Sequence, residues 1–132
     1  MTGNSTSQAP ARRRLVAVIG DANVPAGSQK DLLSEEVGRL LVDAGFRVLT
    51  GGLGGVMEAA CRGARSSSRY QSGDTVAVLP GHDPADANPF VDVAIPSGLD
   101  HVRNSIVANG LPSRNSKLAP PPVETWLNLS AR

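Results

Sequence analysis

"TGGLGGVMEAACRGA", Thr50 to Ala64, decides how this chain folds. Four glycines fall within positions 51 to 55, and the chain then turns at once into an alanine-rich run of high helix propensity. Glycine-dense backbone directly in front of a helix belongs where a strand ends and a crossover begins. The residues just upstream agree: "FRVLTGG", Phe46 to Gly52, is a short apolar run closed by glycine, the pattern of a buried strand.

The same pattern recurs on either side. "RLVAVIG", Arg14 to Gly20, predicts a first strand buried on both faces, and "TVAVLPG", Thr75 to Gly81, a third. Between the first two strands Ser28 is placed to cap a helix, with Asp31 three residues on. Leu32, Leu33, Val37, Leu40, Leu41 and Ala44 predict its buried face, and Gly45 stops it. "SSSRYQSGD" and "HDPADANPF" read as connections, "VDVAIPSG" as a short fourth strand, and "LDHVRNSIVANG", Leu99 to Gly110, as a third helix beginning near Asp100. Apolar strands alternating with helices predict an α/β fold, a Rossmann-like parallel sheet with helices on both faces, truncated after the third helix. Residues 1–13 are expected to be a flexible leader, 14–110 the ligand-binding domain, and 111–132 an irregular proline-rich tail.

Composition excludes several classes of function. A chain of 132 residues holds one domain, and no apolar run approaches the ~20 residues of a membrane span. The net charge of +1 and the scattered Phe46, Tyr70, Phe90 and Trp126 offer neither a basic field nor a stacking platform, so no nucleic acid partner is expected. Cys61 is the single cysteine, which forbids an internal disulfide, fits a reducing cytoplasmic compartment, and reads as a small core residue. His82, Asp83 and Asp86 read as turn residues in a proline-broken loop, so no metal site is expected.

The chemistry is expected at the carboxyl edge of the sheet. Amides of a first helical turn point outward there and the helix dipole adds partial positive charge, so Gly51, Gly52, Gly54 and Gly55 can cradle an anion. The competing account of these glycines is a tight turn needing positive φ. The string is neither GxGxxG nor a P-loop with its Lys-Ser/Thr. A second glycine turn, Gly20 and Asp21, follows the first strand, and "LPG" closes the third, so three loops converge on one crevice. Arg103 and Asn104 add a cation and a forked amide, with a solvated arginine and a helix-face asparagine as the competing account. Asn88, standing before a proline, reads as a turn former.

"VIGDA", "LLVDAGFRVLTGGLGGVMEAACRGA" and "TVAVLPGHDPADANPFVDVAIPSGLDHVRNSIVANG" resemble, in order, the molybdenum cofactor carrier proteins. Those lie within the wider superfamily of the lysine-decarboxylase-like LOG proteins, the cytokinin-activating phosphoribohydrolases. The resemblance covers roughly Leu15 to Gly110. It implies binding of molybdenum cofactor (molybdopterin with its metal), or of molybdate or a nucleotide monophosphate, by a homo-oligomer that serves molybdoenzymes or cofactor-synthesis proteins. By matching motif, Gly51, Gly52, Gly54 and Gly55 would form the anion loop, Gly20 and Asp21 the neighbouring turn, and Ser97, Gly98, Arg103 and Asn104 the opposite wall. The resemblance also includes a second glycine motif with a catalytic glutamate in the hydrolases. Here "NGLPSRNSKLAPPP" stands in its place, so no catalytic residue is expected. A nucleoside 5′-monophosphate phosphoribohydrolase and a shortened non-catalytic subunit are the alternative readings.

Overall fold

The computed structural model describes residues 13–109 and 126–128. In chain order it runs β1 (Leu15–Ile19), α1 (Gln29–Asp43), β2 (Arg47–Thr50), α2 (Val56–Ser66), β3 (Thr75–Leu79), β4 (Val93–Pro96), α3 (Arg103–Asn109) and β5 (Trp126–Asn128). The five strands form one sheet in the order β4-β3-β2-β1-β5, every neighbouring pair parallel. This is the Rossmann-like arrangement expected from the alternation of apolar runs with helices.

Successive residues of a strand point to opposite faces, and each face carries its own core. On one, Val18 and Val48 pack with Val42 of α1 and with Val56, Ala60 and Ala64 of α2. On the other, Ala17, Leu49 and Val78 pack with Val107 of α3. Continuous apolar strands are therefore required, because both sides of β1, β2 and β3 are covered.

The start of α1 follows its sequence signal: the Ser28 hydroxyl accepts from the Asp31 amide at 3.2 Å, and the Asp31 carboxylate accepts from the Gly27 amide at 3.0 Å. Its buried face does not. Leu32, Leu33 and Leu40, expected inside, are about half exposed, while Asp31, Ser34, Gly38 and Val42 are buried. The cause is that α1 packs on α2 more than on the sheet, through small residues. A Cβ on Gly38 would lie 1.9 Å from the Ala60 carbonyl oxygen, and one on Gly63 would lie 1.8 Å from that of Glu35. Backbone meets backbone at two points, which large side chains would prevent.

The tail also differs from its expectation. Trp126–Asn128 lies in the stretch read as irregular, yet it pairs parallel with Ala17–Ile19, so the sheet does not end with the third helix. Without that pairing β1 would be an edge strand with unpaired amides. The leader expected at 1–13 and the rest of the tail lie outside the described residues, apart from Arg13, whose guanidinium pairs with Asp74 at 2.7 Å.

Candidate functional site

At the carboxyl edge, β1, β2 and α3 enclose a cavity of about 270 Å³. Gly20, Gly51, Arg103 and Asn104 line it, four of the positions chosen from sequence. Val18, Ile19, Ala22, Leu53, Met57 and Val107 complete the lining, so the floor is apolar. None of these six was singled out as a site residue in the sequence, although Leu53 and Met57 sit inside the glycine motif itself. The signal was their position, one in the loop and one in the first turn of the helix behind it.

The other positions chosen from sequence do not line the cavity: Asp21, Gly52, Gly54 and Gly55 fall between its lining residues in the chain, and Ser97 and Gly98, expected as the opposite wall, lie apart from it. Asp21 accepts from Lys30 at 2.6 Å. Gly52 has φ of +83° and donates its amide to the Thr50 hydroxyl at 3.1 Å. Gly55, with φ of +65°, lies against the Asp21 carbonyl, where a Cβ would come within 2.1 Å, and the Val56 amide donates to that same carbonyl at 2.9 Å. Gly54 faces the carbonyl of Ala22. The first turn of α1's leading loop is thus pressed onto the start of α2. Ser97 and Gly98 stand further along the edge, zipping β4 to β3: the Ser97 hydroxyl donates to the Leu79 carbonyl at 2.6 Å and the Gly98 amide to that of Gly81 at 2.8 Å.

Asn88 does more than make a turn. It is buried, its amide and side-chain NH₂ donate to the carbonyls of Gly52 and Leu53 at 2.9 Å, and its side-chain oxygen accepts from the Phe90 amide at 3.0 Å. One asparagine so fixes two residues of the glycine loop from a connection 36 positions away. Spending these carbonyls on Asn88 leaves the loop's amides as the free polar groups: among the described residues nothing accepts from Leu53, Gly54 or Gly55.

Charge in the cavity comes from Arg103. The residue is 7% exposed, and its guanidinium lies over Gly51, where a Cβ would sit 2.7 Å from Cζ. Among the described residues no carboxylate or carbonyl accepts from it, and Nε is buried without a partner. Burial holds the guanidinium below the usual arginine range while leaving it a cation. A buried cation without a counter-charge costs several kcal/mol, about as much as ligand binding can return. The larger cavity at the opposite edge, about 390 Å³, contrasts with this. Its Arg13 is already engaged by Asp74 and Gln71.

Cys61 is buried beside Thr50, and burial pushes its thiol up to about 11, which keeps it protonated and unreactive. Asp83 caps a 3-10 turn at Pro84–Asp86, in keeping with the turn role read for that loop. Among the described residues no group of three metal-ligating side chains converges, and no helix is long and apolar enough to cross a membrane.

The sequence model of the SLOG cluster4 family matches residues 13–111. An uncharacterized protein of Archaeoglobus fulgidus is 38% identical over 77 residues, which are 58% of this chain and 48% of that protein. The solved molybdenum cofactor binding protein of the phototrophic bacterium Rippkaea orientalis is 30% identical, with a TM-score of 0.66 over 77% of this chain and 60% of the other. The molybdenum cofactor carrier protein of Chlamydomonas reinhardtii is 28% identical, with a TM-score of 0.61 over 76% of this chain and 58% of the other. The chain thus spans between 48% and 60% of the length of these relatives.

Proposed function

We propose that this chain, which belongs to the SLOG cluster4 family, holds a phosphate-bearing small anion in the cavity between Gly51 and Arg103, with molybdenum cofactor as its natural ligand. The observation that carries the reading is the buried Arg103 guanidinium with no counter-charge among the described residues, set over a glycine loop whose amides are free. An oxyanion would pair with Arg103 at one side and with the amides of Leu53 to Gly55 at the other. The apolar floor of Ile19, Leu53, Met57 and Val107 would receive a flat heterocycle. Two structural relatives that bind or carry molybdenum cofactor support the choice among anions.

In this reading the chain works as a cytoplasmic homo-oligomer that protects its ligand and passes it to molybdoenzymes or to proteins of cofactor synthesis. No step of bond chemistry is assigned to it. Equilibrium binding of isolated cofactor, of molybdate and of AMP tests the proposal. One saturable site for the cofactor, weaker for the two smaller probes and lost in Arg103→Leu, is expected. No saturable binding of any of the three by folded protein overturns it.

A further inference from the structure

The glycine loop is shaped by a residue outside it. Between β3 and β4 the chain turns so that the Asn88 backbone carbonyl accepts from the Val91 amide at 3.2 Å and the Asn88 side-chain oxygen from the Phe90 amide at 3.0 Å. Asparagine or aspartate could make that turn equally, since it asks the side chain only for an acceptor. The other half of the side chain does what an acceptor cannot. Its NH₂ group donates to the Leu53 carbonyl at 2.9 Å and to the Gly52 carbonyl at 3.3 Å, and the Asn88 backbone amide donates to that same Gly52 carbonyl at 2.9 Å. Asn88 is itself braced: the Phe90 carbonyl accepts from the Thr75 hydroxyl at 2.7 Å and from Arg65 Nε at 3.1 Å, which fastens the turn to β3 and to α2.

A trans peptide unit carries its carbonyl and the following N–H on opposite sides. Holding the carbonyls of Gly52 and Leu53 toward Asn88 therefore sends the N–H groups of Leu53 and Gly54 the other way, and neither has an acceptor among the described residues. The amides on either side of this stretch are engaged within the protein, Gly52 by the Thr50 hydroxyl at 3.1 Å and Val56 by the Asp21 carbonyl at 2.9 Å. Leu53 lines the cavity that Arg103 also lines, and Gly54 follows it in the chain. We propose that Asn88 is a positioning residue of the anion site: by holding the carbonyls of Gly52 and Leu53 it keeps the amides of Leu53 and Gly54 presented to the ligand before the ligand arrives. The inference rests on the reading of that cavity as an anion site and adds the residue that prepares it. Without the two donors the peptide units on both sides of Leu53 are free to rotate, because glycine flanks it at 52 and 54. Ordering the loop then falls to the ligand and is read as lost affinity.

Titration calorimetry with inorganic phosphate, together with amide proton–nitrogen spectra, tests the role on the full chain and on Asn88→Asp and Asn88→Ser. Aspartate keeps the shape and the acceptor for Phe90 but has no N–H to donate. Serine also keeps an acceptor, adds no charge and is too short to reach Leu53. In the parent, phosphate is expected to bind saturably and to shift the amides of Leu53 and Gly54. In both variants the affinity is expected to fall about tenfold or more, as the loss of well-placed hydrogen bonds to an anion implies, with those two amide shifts lost. Should N88D fail to fold, as read by circular dichroism, N88S decides alone. A lower thermal midpoint in N88S with affinity and amide shifts kept is the behaviour of a turn former and overturns the positioning role while leaving the anion site. Weakening confined to N88D overturns it too, since the added charge then accounts for the loss. A parent with no saturable phosphate binding overturns the role together with the anion site it serves.

Discussion

Arg103 concentrates the function of the site in one side chain. A cation that is 7% exposed and unpartnered among the described residues destabilises the fold and is useful only to a ligand. Arg103→Leu is therefore expected to act in opposite directions: anion affinity falls at least tenfold by titration calorimetry, while the thermal midpoint rises by several degrees, as removal of an unpaired buried charge returns about 1 kcal/mol or more. Gly51→Ala separates the two effects by another route. Its new methyl group would meet the movable end of Arg103, 2.7 Å away, and the Met57 sulfur at 2.9 Å. The expected outcome is weakened binding with a stability loss below about 2 kcal/mol by urea titration, since flexible side chains yield where backbone does not. At this scale the sequence was partly legible. Arg103 and the glycines announced themselves by chemistry and position, but whether an arginine has a partner depends on which carboxylates the topology brings near, and no local pattern encodes that. Asn88 was hidden for the same reason, because its partners lie 36 residues away.

The α1–α2 pair and the β3–β4 corner carry the energetics of the elements. Gly38→Ala gains about 1 kcal/mol of helix propensity, yet its methyl group would stand 1.9 Å from a carbonyl oxygen of α2. Overpacking against backbone costs about 1–3 kcal/mol and wins, so a net loss of stability is expected by chemical denaturation, with Gly63→Ala behaving alike. At the corner, Asp92 accepts from the Tyr70 hydroxyl at 2.7 Å and from the amides of Gly73 and Thr75, and pairs with Arg65 at 2.7 Å. Burial alone would raise its pKa, but these donors outweigh it and hold the carboxyl below the usual range. A carboxylate whose folded pKa is depressed stabilises the fold above its unfolded value near ~3.9, and that stabilisation disappears as pH falls through the folded value. The acid limb of the stability profile is thus expected to flatten in Asp92→Asn, at a cost of about 1.5–3 kcal/mol at neutral pH, read from melts across a pH series. Helix existence was legible from caps and periodicity. The buried face of α1 was not, because leucine counting assumes packing on a sheet, whereas here glycine and serine mark the contact.

For the molecule as a whole, alternation of apolar runs was enough to give the parallel sheet and both covering layers, since parallel strands admit few other arrangements. The place of Trp126–Asn128 could not be read that way: a three-residue strand has no periodicity, and its value lies in the β1 edge it covers. Ending the chain before Trp126 is expected to speed amide exchange at Ala17 to Ile19 and to promote aggregation, measured by hydrogen exchange and turbidity on heating. The two backbone contacts between α1 and α2 have a mechanical consequence. Helices in backbone contact at Gly38 and Gly63, with the loop after β1 tied to α2 where the Asp21 carbonyl receives the Val56 amide, are expected to move as one stiff plate. One jaw of the crevice is then an anvil, and a change in its gape is expected at the other jaw, the short α3 that follows a left-handed Asp100 at φ of +50°.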